Sequence, residues 1–228
     1  MISPPSASLK RPPGLSRPQM GLLFFGPFMT LKHKRKNLLR VHVFFDGQNL
    51  FGAARDAYGY LYPNYDPVKL AHLVTERISG RKLEGIHFYT GIHNKEKDFF
   101  WHEFWTRKLR AMGRKGVHVF TRELRYSAEK PREKGIDVRL ALDIVRLARK
   151  NEYDVAIIFS QDAVLEEAVD EVISIQRETK RHIHLESAFP FVTKKQRYSR
   201  GLNKTDWIRI TKEMYDQCID SRDYRPKK

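Results

Sequence analysis

The sequence contains a single cysteine in 228 residues. Cys218 can form no disulfide within the chain, which excludes a disulfide scaffold and a cysteine-based zinc site and fits a reducing, cytoplasmic setting. Long apolar runs are missing as well. None approaches the roughly 20 residues needed to cross a bilayer, so no membrane association is expected. Neither GxGxxG after a strand nor GxxxxGK[ST] occurs, and dinucleotide and P-loop readings lose their main support. Finally, the first 40 residues hold no acidic residue at all. What is present is an ordinary globular composition, 41% hydrophobic, in a length that suits one domain with a tail or at most two small ones.

Positive charge dominates. Lys and Arg number 43 against 27 Asp and Glu, for a net +16. Charge of this size points to a polyanionic partner, most often nucleic acid. Its distribution is uneven: +8 on residues 1–40, −1 on 41–106, +9 on 107–150, −6 on 151–192 and +6 on 193–228. Residues 1–40 are rich in Pro and Ser and then basic, a composition that buries too little apolar surface to order itself, so this stretch is expected to be a disordered tail. Its short patch GLLFFGPFM contains Pro27 and is followed by basic residues, which argues against a secretory signal. Translation from Met20 or Met29 would remove much of the tail.

From residue 41 the pattern alternates. Strands are expected at 41–45, 85–92, 117–127, 153–160 and 182–189. Helices are expected at 48–58, 67–79 (opened by Asp66-Pro67), 95–112, 133–150, 162–180 and 204–219. Alternation at this spacing argues a parallel sheet with helices on both faces. In such a sheet the functional crevice lies at the carboxyl ends of the strands. Asp46 ends the first strand, Asp162 follows IIFS by two residues, and Asp137 opens a helix after Gly135. One such Asp alone suits a turn or a helix cap. Three converging carboxylates need a cation, and hard oxygen donors suit Mg²⁺ or Mn²⁺, which activates water for phosphoryl displacement.

FFDGQNL (44–50), KGIDVRLALDIVRLA (134–148) and IIFSQD (157–162) together resemble NYN domains, the LabA-like branch of the PIN-like nuclease superfamily. The likeness covers about 41–189. It implies an α/β, PIN-like three-layer fold, with a central, mainly parallel β-sheet flanked by helices, and metal-dependent cleavage of RNA. Residues 41–228 would then form the domain, with a C-terminal helical extension. Carried over by position, Asp46, Asp137 and Asp162 would be the catalytic metal ligands. Asn49 would orient Asp46 or the substrate, and Ser160 would support the Asp162 loop. Asp143 matches the second acid of the family's helix motif, but six residues after Asp137 it lies about 240° around the helix and does not share its face, so it would be a supporting residue at most or an exposed structural one.

One acid of the family pattern is missing. Where Ser-x-Asp-x-Asp is usual, Val164 stands in the last place. Glu166, one turn beyond Asp162, could replace it; the blander alternative is a solvent-facing Glu. Without that replacement the chain would be an RNA-binding adaptor without catalysis. A haloacid-dehalogenase-like phosphatase would need Asp where Gln48 stands.

For the substrate, Arg125, Arg132 and Lys134 lead into the Asp137 helix and suit phosphate contacts of an RNA, or equally of a DNA. Lys194, Lys195, Arg197 and Arg200 form a second basic loop. The aromatic cluster Phe99, Phe100, Trp101, Phe104 and Trp105 is expected to be core, with base stacking as the functional alternative. His182 and His184 share a strand face and are expected to be packed or exposed. Trp207 is expected to anchor the last helix, with Asp206 near the rim.

Overall fold

Apolar runs bounded by Asp, Gly and Pro become the strands of one sheet. The computed structural model describes residues 38–127, 130–132, 134–193 and 200–226. In chain order the elements are β1 (Leu39–Asp46), α1 (Gly47–Tyr58), α2 (Pro67–Glu76), β2 (Arg81–Ile92), α3 (Phe99–Arg114), β3 (His118–Glu123), β4 (Arg125–Ser127), β5 (Lys130–Arg132), α4 (Ile136–Arg149), β6 (Val155–Phe159), α5 (Glu166–Thr179), β7 (His184–Pro190), β8 (Asp206–Ile210) and α6 (Lys212–Gln217). A single 3₁₀ turn, Ala163–Leu165, precedes α5.

The main sheet has the order β3-β2-β1-β6-β7-β8, and every pairing in it is parallel. Side chains alternate across the pleat. Val41, Val43 and Phe45 join the core on the face covered by α1, α2 and α3. Phe44 joins Leu140, Ile144 and Val169 on the face covered by α4 and α5. Helices on both sides explain why the central strands are apolar on both faces. This is the three-layer α/β arrangement expected for a PIN-like fold.

Local signals account for the helix starts. The Asp66 side chain accepts from Val68 N at 2.9 Å, with Pro67 in the first turn. Asp98 does the same for Trp101 N at 3.0 Å, so α3 begins at its cap, four residues later than expected. The aromatic cluster divides by position. Phe104 and Trp105 are core, whereas Phe99 at the helix start is 54% exposed.

The expected helix over 204–219 is not formed as one element. Asp206–Ile210 is instead the edge strand β8, and only Lys212–Gln217 is helical. The reason is a period of two: Ile208 and Ile210 are buried, and Arg209 between them is exposed. Trp207 therefore sits on a strand, donating its indole N–H to Leu202 O at 2.9 Å. Asp206 begins that strand, at the sheet end opposite the rim. An unexpected antiparallel hairpin, β4–β5, lies between β3 and α4. Of the expected tail, all but Leu38–Arg40 lies outside the described residues. So do Lys194, Lys195 and Arg197. Among the described residues no helix is long and apolar enough to cross a membrane.

Candidate acidic site at the sheet crossover

The sheet grows outward from β1 through β2 on one side and through β6 on the other. Connections leave β1 and β6 in opposite directions, and a crevice opens at their carboxyl ends. Asp46 ends β1, and Ser160 immediately follows β6.

These two turns are tied together. Asp46 Oδ1 accepts from Asn49 N at 3.0 Å, capping α1. Its Oδ2 accepts from Ser160 Oγ at 3.1 Å. The same Oγ accepts from Asp162 N at 3.1 Å. The Asn49 side chain crosses the crevice the other way, accepting from Gln161 N at 3.0 Å. Asp162 Oδ1 accepts from Val164 N at 3.1 Å and caps the 3₁₀ turn. Each Asp is thus held in place by capping, which leaves further lone pairs on its carboxylate.

Asp46 is only 9% exposed. Burial pushes its carboxyl up to about 6, opposed by the hydrogen bonds from Asn49 and Ser160, with the charges of Asp162 and Asp137 adding to the rise. Asp137 in the first turn of α4 therefore belongs to the same electrostatic neighbourhood. Gly135 sets that turn. It has φ +75°, and a Cβ there would come within 2.8 Å of the Arg122 guanidinium. Arg122 consequently rests against the start of α4, a placement for which the sequence held no signal beyond its basic run.

The remaining candidates divide. Lys134 precedes Gly135 and is exposed, and Arg125 is exposed on β4. Arg132 lies on β5, the strand leading towards α4. Asp143 stands apart from the acids. Its carboxylate accepts from Tyr89 OH at 3.0 Å, Arg139 Nε at 2.7 Å and Arg146 at 3.2 Å, as its different helix face requires. Glu166 does not simply point to solvent. Its two oxygens accept from Asn203 N at 3.1 Å and Asn203 Nδ2 at 3.0 Å. Nothing in the spacing of residues 166 and 203 announced that pair. Val164 is 52% exposed. Among the described residues, no three His, Cys, Asp or Glu side chains close on one point where a metal ion could be held.

The chain matches the NYN domain family over residues 40–216. It belongs to the NYN family. NYN domains are a nuclease-like family that acts on nucleic acid and typically uses divalent metals. A search of curated proteins gave no match. Among solved structures, a protein of unknown function from Vibrio parahaemolyticus is similar at 17% identity and a TM-score of 0.49, over 83% of this chain and 96% of its own.

The donors in this NYN domain suit a hard cation. The buried Asp46 carboxylate lies in the fields of two others, and a cation beside it would relieve that repulsion. One or two carboxylates completed by water is the way a hydrated divalent cation such as Mg²⁺ is commonly held.

Proposed function

We propose that this NYN domain is a metal-dependent endoribonuclease, with Asp46, Asp137 and Asp162 as the catalytic carboxylates and Mg²⁺ or Mn²⁺ as the ion. The observation that carries this reading is the Asp46–Ser160–Asp162 linkage at the crevice between β1 and β6, with Asp137 close enough to act on Asp46. Held by these carboxylates, the ion would supply Lewis-acid activation of water. Asn49 and Ser160 keep the two turns in register. Lys134 and the N-terminal turn of α4 suit a backbone phosphate, and Arg125 and Arg132 suit its neighbours. Asp46→Asn should abolish Mn²⁺-dependent cleavage of mixed single-stranded and structured RNA while thermal unfolding remains cooperative. Wild-type activity in that variant would refute the proposal.

A second reading rests on a specific observation. Val164 replaces the fourth acid, and Glu166 is already engaged by Asn203. On this reading the protein is an RNA-binding adaptor. Salt-sensitive RNA binding, unchanged by chelator and without cleavage in Mn²⁺, would favour it. DNA of the same sequence in the same assay separates the two nucleic acids.

A further inference from the structure

Beside the acids, on the α1 side of the crevice, lies a cavity of about 670 Å³. Asn49 belongs to both, since the side chain that braces the crevice also lines the cavity. Its polar wall is rich in carboxamides, with Gln48, Gln161 and Asn203 joining Asn49 and with Arg200 at the margin. Asn49, Gln161 and Asn203 are held rather than loose. Gln161 Nε2 donates to Arg200 O at 2.7 Å, and Glu166 fixes Asn203 from two sides. Those bonds use Asn49 Oδ1, Gln161 Nε2 and both ends of Asn203, so the donor and acceptor offered to the edge of a nucleobase are Asn49 Nδ2, Gln161 Oε1 and the Gln48 carboxamide. An adjoining guanidinium suits the phosphate of the same nucleotide.

The cavity also accounts for a residue that the fold does not. Gly52 lies in the interior of α1, where glycine is less stable than alanine. It has no positive φ, and a Cβ added there would meet nothing within 4 Å. No turn and no close approach calls for glycine at this position. Gly52 lines the cavity, and a side chain there would enter it.

We infer that this cavity is a nucleobase subsite that receives one unstacked base of a single-stranded RNA next to the acidic crevice, with Gly52 keeping it open. The RNA part rests on the nuclease reading above. A paired base could not enter, because its hydrogen-bonding edge is already used in a duplex.

The four 5′-nucleoside monophosphates, titrated into the full-length protein in chelator and followed by NMR or calorimetry, test this without any cleavage. At least one should bind at millimolar concentration or tighter. Gly52→Leu should weaken it tenfold or more, while Gly52→Ala raises Tm. Gln48→Ala should also weaken it, and serves where Gly52→Leu lowers Tm. Because the titration is run in chelator and reads binding alone, a failed cleavage assay does not confound the result. A single-stranded hexanucleotide should displace the bound nucleotide, and the matching duplex should not. No binding by any of the four nucleotides, or wild-type binding in both Gly52→Leu and Gln48→Ala, would overturn the subsite. Failure of the single strand to compete would overturn its assignment to RNA.

Discussion

Asp46 and Ser160 are each doing two jobs. Asp46 caps α1, and its position at the end of a central strand buries the same carboxylate among other acids. Without metal, a carboxyl raised from 3.8 to about 6 binds its proton more tightly in the folded chain than in the unfolded one. Its contribution is complete below the unfolded value and is lost as pH rises through about 6. In chelator, Asp46→Asn should therefore be more stable than wild type at pH 7, by on the order of 2–3 kcal/mol, with the difference vanishing near pH 4. Paired urea melts check this, and equal stability at both pH values would remove the electrostatic account. Ser160 is 1% exposed, with its hydroxyl linking Asp46 to Asp162 N. Ser160→Ala should cost about 1–3 kcal/mol, because it leaves the buried Asp46 Oδ2 without its donor. At this scale the sequence was readable where a residue ends a strand or caps a helix. The partner of Glu166 was not, since Asn203 arrives from a distant loop.

Between elements, the α4 face of the sheet carries a row of histidines at the end away from the acids. His42 on β1 and His87 on β2 approach to 3.1 Å, and His118 on β3 stacks on His87 at 5.1 Å between ring centroids. Burial, aided by the neighbouring histidines, pushes His87 down to about 3, opposed by Asp143. A histidine depressed in the fold contributes stability above its unfolded value near 6.5 that is lost as pH falls towards 3. In an Asp46→Asn background, which removes the opposing titration of Asp46, the protein should lose a few kcal/mol between pH 6.5 and 4. His87→Phe, which keeps a flat ring over Phe44 (4.8 Å between centroids), should show a shallower loss in denaturant midpoints. An unchanged slope would assign the acid sensitivity elsewhere. The row arises from strand register, with His87 opposite His118, and register was not visible in three separate apolar runs. β8 shows the complementary case. Its alternating Ile208 and Ile210 carried a strand signal, but five residues before a helix cap read equally as the helix's start.

For the molecule as a whole, the +16 locates little until it is divided. Half belongs to residues 1–40, and +9 belongs to the segment that contains the hairpin and α4. Some of that segment is already engaged. Arg139 and Arg146 pair with Asp143, and Lys108 is buried with its ammonium on Tyr65 O at 2.7 Å. Arg125 and Lys134 remain exposed, and Lys134 lies two residues before α4. If they neutralise RNA phosphates, Arg125→Ala and Lys134→Ala should each reduce the slope of log affinity against log salt by about 0.7. Fluorescence anisotropy over a salt series measures it. Slopes equal to wild type in both variants would move the contact surface away from this rim.

By itself the sequence determined the alternation of strands and helices, and it placed Asp46, Asp137 and Asp162 at strand ends and a helix start. Those features are local, set by hydrophobic period, capping and glycine conformation. Only the tertiary structure decided that β1 and β6 lie side by side, and hence that Ser160 joins two of the acids. It also sent Asp143 to Tyr89 and Glu166 to Asn203, turned Asp206–Ile210 into an edge strand, and left open space over Gly52. Each of these depends on which distant segments pack together, a global choice made by burying apolar faces and satisfying the polar groups between them.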